Sequence, residues 1–146
     1  MFGGFDAGKK VKGRKRHILT DSNGLLLGVL VTSASVQDRD GACLLAERMK
    51  GRLPRLEMVR ADSAYRGETV AKAFRDCFQA RLEIVEKLQG QKSFVVIAGR
   101  WVVERTFAWI GRNRLLSREH EELPSTSEMA IQMTMCRLMM RRLART

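Results

Sequence analysis

The chain has 146 residues, 45% of them hydrophobic, which suits one domain around one packed core. Lys and Arg total 27 against 16 Asp and Glu, and the net charge of +11 points to a polyanion such as nucleic acid. No apolar run approaches the roughly 18–20 residues of a membrane helix, and no signal-like segment follows Met1, so a soluble, intracellular protein is expected.

Residues 1–16 carry Gly3, Gly4, Gly8 and Gly13 among Lys9, Lys10, Lys12, Arg14, Lys15 and Arg16. Glycine lets a backbone approach a phosphate chain and the cations neutralise it, so the segment reads as a basic arm that contacts DNA. A frayed, charged terminus is the plainer alternative. Residues 17–20 and 25–32 are β-favouring runs on either side of Asp21, Ser22, Asn23 and Gly24. That is a hairpin with a four-residue connection in which Gly24 takes the positive φ. Leu25, Leu26 and Leu27 run without alternation, as in a strand covered on both faces. His17 has no partner at ligand spacing and reads as a strand residue.

A helix is predicted from Ser35 or from Gln37 and Asp38 through Lys50, with Ala42, Leu45, Ala46 and Met49 at helical spacing. Asp38 and Asp40 suit the positive end of its dipole, so they read as caps before ligands. Gly51 ends it. Residues 56–60 form a strand that delivers Asp62, and residues 67–78 a helix with Val70, Ala71, Phe74, Cys77 and Phe78 on one side. Residues 82–85 read as a strand, 89–93 as a polar loop and 94–97 as a short strand or lead-in.

Next comes a helix over about 99–116, in which Val103, Phe107, Ile110 and Arg114 line one side and Glu104, Ala108 and Gly111 another. The small neighbours leave the Glu104 carboxylate uncovered. Taken alone, Glu104 reads more simply as a solvated residue paired with Arg100 four positions back. The last helix spans about 125–142 and opens on a Ser125/Glu128 capping box, with Ile131, Met135 and Leu138 on one face. Its five methionines read as a core face or packing lid more readily than as a binding surface. Cys43, Cys77 and Cys136 are too scattered for a disulfide framework or a zinc site.

Two segments carry chemistry. VRADSAY (59–65) ends a strand on a lone Asp62, and RWVVERTFAW (100–109) sets Glu104 in a basic, aromatic helix. Carboxylates flanked by arginines suit a divalent cation held against a phosphodiester.

These segments, with GFDAGKKVKGRKRH (4–17), DSNGLLL (21–27), VQDRDGA (36–42) and LMMRRL (138–143), closely resemble DDE-type insertion-sequence transposases, over almost the whole chain. The resemblance implies a ribonuclease H-like α/β fold, a mixed sheet with helices on both faces. It also implies three carboxylates holding two Mg²⁺ or Mn²⁺ ions. Asp62 matches the second and Glu104 the third. The first normally lies on a central strand just before the residues that match 4–10. Met1 stands three residues before Gly4, so that strand and its Asp are expected to be missing, leaving sheet edges unpaired. Asp6 and Asp21 are the nearest substitutes, Asp6 at a non-catalytic family position and Asp21 in the hairpin turn. The family has a tyrosine seven residues before the Glu, an arginine four before and a lysine seven after. Here these are Ile97, Arg100 and Gly111, so only Arg100 matches, and Arg112 is the candidate for the late positive charge.

By the same resemblance, Tyr65, Arg100, Arg105 and Arg112 join Lys9, Lys10, Lys12, Arg14, Lys15 and Arg16 as DNA contacts. The expected domain is an N-terminally truncated DDE catalytic domain over 1–146. The expected activity is metal-dependent cleavage and strand transfer at element ends and target DNA, by a C-terminal fragment or second reading frame. A catalytically inactive DNA-binding regulator and a metal-dependent nuclease are the alternatives. Expected partners are DNA, a second copy, or an upstream-frame product, in the bacterial cytoplasm near the nucleoid.

Overall fold

A computed structural model describes residues 4–6, 11–86 and 101–145, which fall into two compact units. One unit takes in residues up to Val36 and from Val102 onward; the other spans Gln37–Trp101. The predicted loop at 89–93, the lead-in at 94–97, and Lys9, Lys10, Ile97 and Arg100 lie outside the described residues.

In the first unit, β1 (Gly4–Asp6), β2 (Val11–Thr20) and β3 (Leu26–Ser33) form an antiparallel sheet in that order. The predicted hairpin is there, with β2 beginning well before residue 17. Its turn is fixed locally: Asp21 Oδ1 accepts from Asn23 N–H at 2.9 Å and Leu25 N–H at 2.8 Å, while Gly24 takes φ +81°. Burial on both faces of β3 holds, but it centres on residues 28–31 rather than on the three leucines. Alternation then splits the strand. Val29 and Val31 point into a core with Ile110, Leu116, Ile131 and Met135, against which Ile18 of β2 also packs.

That core is closed by α3 (Trp101–Gly111) and α4 (Pro124–Leu143). Helix α3 stops well short of residue 116 because Asn113 turns the chain. Its Oδ1 accepts from Leu115 N–H at 3.1 Å and its amide donates to Thr134 Oγ1 at 2.8 Å, which lets Leu116 fold back into the core. Helix α4 begins with Pro124 in the first turn, where its missing N–H costs nothing. The predicted capping box does not form. Leu123 is the N-cap, and Glu128 Oε1 instead accepts from Val31 N–H at 2.8 Å. A carboxylate thus satisfies the outer edge of β3, a site open to strand pairing.

The second unit is a β-α-β crossover with a preceding helix. Helix α1 (Asp38–Arg48) packs on α2 (Glu68–Phe78), and β4 (Met58–Ala61) pairs in parallel with β5 (Arg81–Ile84). Parallel strands need such a crossover, and α2 provides it. Buried apolar residues here include Ala42, Leu45, Ala46, Met49, Val59, Val70, Phe74 and Phe78, with the Phe74 and Phe78 rings tilted at 5.8 Å. Helix α2 ends with Gln79 at φ +58°, whose N–H reaches back to the Arg75 carbonyl at 2.8 Å, a left-handed stop made without glycine. Small sheets with flanking helices are compatible with a ribonuclease H-like domain.

Candidate active site

Asp62 is the first residue beyond the β4 ladder and is exposed. Its Oδ1 accepts Ala64 N–H at 2.9 Å and its carbonyl accepts Tyr65 N–H at 3.1 Å, so it caps the short 3-10 helix Ser63–Tyr65. The carboxylate is therefore held by backbone at a strand end and turned to solvent. Tyr65 behind it is half-buried. Burial, then the Asp38 charge, then the Asp62 charge push its phenol up to about 12. Asp38, the first residue of α1, thus lies within electrostatic reach of Tyr65. The sequence reads Asp38 as a cap before a ligand, and its nearness to Tyr65 could not be read from spacing because it depends on α1 packing against the 3-10 helix. Arg66 pairs with Glu86, and Arg60 with Glu83 at 2.6 Å, both at the exposed margin of this unit.

In the other unit, α3 presents Glu104 outward. Val102, Thr106 and Ile110 are buried, whereas Glu104, Ala108 and Gly111 are exposed together with Trp101 and Phe107. The predicted pairing of small residues with Glu104 holds; Val103 and Phe107, on the side shared with Ile110, are about a third exposed. The helix is set by the hairpin turn beneath it. Thr106 Oγ1 donates to Gly24 carbonyl at 2.6 Å, and Arg105 Nη2 to Asn23 carbonyl at 2.6 Å. A Cβ on Gly24 would meet Thr106 Oγ1 at 2.8 Å, so glycine is needed for closeness as well as for φ. Trp109 meets two guanidinium groups, Arg105 at 4.8 Å and Arg142 of α4 at 4.4 Å from the ring centre.

Arg14, Lys15 and Arg16, the cations of the basic run whose side chains are described, bond within the fold. Arg14 donates to the carbonyls of Glu121 and Glu122, Arg16 to Leu116 carbonyl at 2.9 Å, and both approach the Glu119 carboxylate, at 3.5 and 3.4 Å. Ser127 Oγ adds a hydrogen bond to Glu119 at 3.0 Å. Lys15 reaches Val36 carbonyl at 2.8 Å. With 7% of its side chain exposed, Arg14 offers little to a phosphate. Arg112, just past α3, is exposed. Lys12 lies in β2.

The profile of the Transposase DDE domain family matches residues 2–139. The chain belongs to that family. It is similar to a putative transposase for insertion sequence element IS402 from Burkholderia cepacia, 33% identical over 111 residues. That match covers 71% of this chain and 52% of the relative, so the chain spans about half the length of the protein it resembles. No solved structure matches it.

For a DDE transposase the family implies a divalent metal. Asp62 and Glu104, both exposed carboxylates, supply the hard oxygens such an ion prefers, so they fit it in kind. Among the described residues no group of three or more His, Cys, Asp or Glu side chains could hold an ion. Nor does any described helix have the length and apolarity to cross a membrane.

Proposed function

We propose that this chain carries the second and third carboxylates of a metal-dependent DNA cleavage and strand-transfer centre, acting on the ends of an insertion sequence and on target DNA. The observation that supports it best is the isolation of Asp62: an exposed carboxylate, oriented by backbone at a strand end, inside the family's matched region. Glu104, central on the outward face of α3, would be the third. A divalent ion held by such carboxylates would make a water or terminal hydroxyl a better nucleophile and balance charge on the leaving oxygen. Mg²⁺ or Mn²⁺ suits these donors.

The chain's own residues orient and screen. Backbone N–H of Ala64 holds Asp62, the hairpin turn holds α3 and so Glu104, and Tyr65 stays a neutral hydroxyl beside the DNA path. Lys9, Lys10, Lys12, Arg100 and Arg112 neutralise phosphates, while Arg14, Lys15, Arg16 and Arg105 contribute chiefly by holding the scaffold. The family's first carboxylate is not assigned to a residue here. Asp62→Asn and Glu104→Gln should each abolish strand transfer by the complete transposase while leaving its affinity for element ends. Transfer that survives either change sinks this reading.

The second reading is a regulator that binds element ends without cutting them, which the lack of a three-carboxylate group among the described residues favours. It expects Glu104→Gln to leave biological activity intact. A nuclease on the same scaffold would nick DNA without joining it, and an assay that scores the two products separately tells them apart.

A further inference from the structure

Helix α4 has two apolar faces, and only one is used by the core. Ser127, Ile131 and Met135 are turned inward and fully buried. On the opposite side Met129, Met133, Met140 and Leu143 are 55–75% exposed, and Cys136 between them is exposed too. Their spacing is four, three, four, three. That 3.5-residue period is the seam of a helix pair, not the wider stripe of a helix laid on a sheet. The exposed strip is also concave: Met129, Gln132, Met133, Cys136, Arg137 and Met140 line a shallow trough of about 420 Å³.

Charge says what covers it. Glu121 and Glu122, both exposed, stand just before the helix, whereas Arg137, Arg141 and Arg145 are exposed toward its end. Arg142 is turned away onto Trp109. A parallel pair of such helices would stack arginines on arginines and glutamates on glutamates. An antiparallel pair sets each acidic end beside a basic one and opposes the two helix dipoles. The seam is compatible with that arrangement: pairing a with d positions places Met133 against Cys136 of the second copy, Met129 against Met140, and Thr126 against Leu143.

We propose that the outer face of α4 is a homodimer interface in which two copies of this chain pair their helices antiparallel about a two-fold axis near residues 134–135. The contact is isologous, so it closes at two copies. One helix face buries less than the roughly 800 Å² per partner of a standard interface, so the dimer is concentration-dependent. It does not depend on the catalytic reading.

The test is sedimentation equilibrium of the full chain over a dilution series in reductant, beside Met133→Glu. That side chain is 66% exposed, so the circular dichroism spectrum should not change, while a carboxylate in the seam should abolish the dimer. Geometry is tested by mild oxidation. Met133→Cys should form an intermolecular disulfide with Cys136, mapped by peptide mass, because the two face each other across the axis. The native chain should link through its Cys136 pair much less. A monomer at every concentration, a dimer indifferent to Met133→Glu, or a native chain that links at Cys136 as readily as the variant would each overturn the proposal.

Discussion

Replacing Gly24 by alanine should loosen α3 from the hairpin, and the structure sets the size of the effect. At φ +81° an L side chain costs about 1–2 kcal/mol. The new Cβ would lie 2.8 Å from Thr106 Oγ1, which is completely buried and donates to the Gly24 carbonyl at 2.6 Å. Thr106 is β-branched and has no room to swing aside, so the hydrogen bond is lost at about a further 1 kcal/mol. The total is about 2–3 kcal/mol. Denaturant unfolding followed by tryptophan fluorescence reads it directly, because Trp101 and Trp109, the only two tryptophans, both lie on α3. A double-mutant cycle sharpens the point. Thr106→Ala removes the atom that the methyl strikes, so the double variant should be about 1 kcal/mol more stable than the sum of the singles. Strict additivity, or a Gly24→Ala cost within about 0.5 kcal/mol of zero, would refute the steric argument.

Glu119→Ala should cost about 2 kcal/mol in the same unfolding assay, since it strips the carboxylate from Arg14, Arg16 and Ser127 at once. Glu128→Ala should cost about 1–2 kcal/mol and raise light scattering on storage, because it bares the Val31 N–H on the edge of β3. Tyr65, the only tyrosine, should give a phenolate absorbance midpoint near 12. Its folded pKa is raised above the unfolded value of roughly 10, so this contribution to stability is complete below about pH 10 and fades as pH climbs to about 12. Asp38→Asn should lower that midpoint; an unchanged value would separate Asp38 from the phenol.

What could be read in the chain beforehand was what depends on neighbours in sequence. The hairpin turn is written in Asp21 and Gly24, the end of α1 in Gly51, and the strand that delivers Asp62 in its apolar run. The departures depend on distant partners. Glu128 sits at capping-box spacing from Ser125, yet it bonds a strand edge 97 residues away. Arg14 and Arg16 look like a DNA arm until residues 116–122 fold over them, and nothing local marks that contact. Asn113 ends α3 early through Thr134, a residue on another helix. For the candidate site, the resemblance supplied Asp62 and Glu104, while the Asp38 charge near Tyr65 emerged only from packing.

The clamp on Arg14 and Arg16 bears on how nucleic-acid affinity would be dissected. A guanidinium already tied to carbonyls and a carboxylate releases no condensed counterion when a duplex arrives. The salt slope of binding should therefore count fewer cations than the formal excess suggests. An alanine scan along β2, scored by affinity alone, would mistake melted protein for lost phosphate contacts. Recording a melting curve for each variant separates the two.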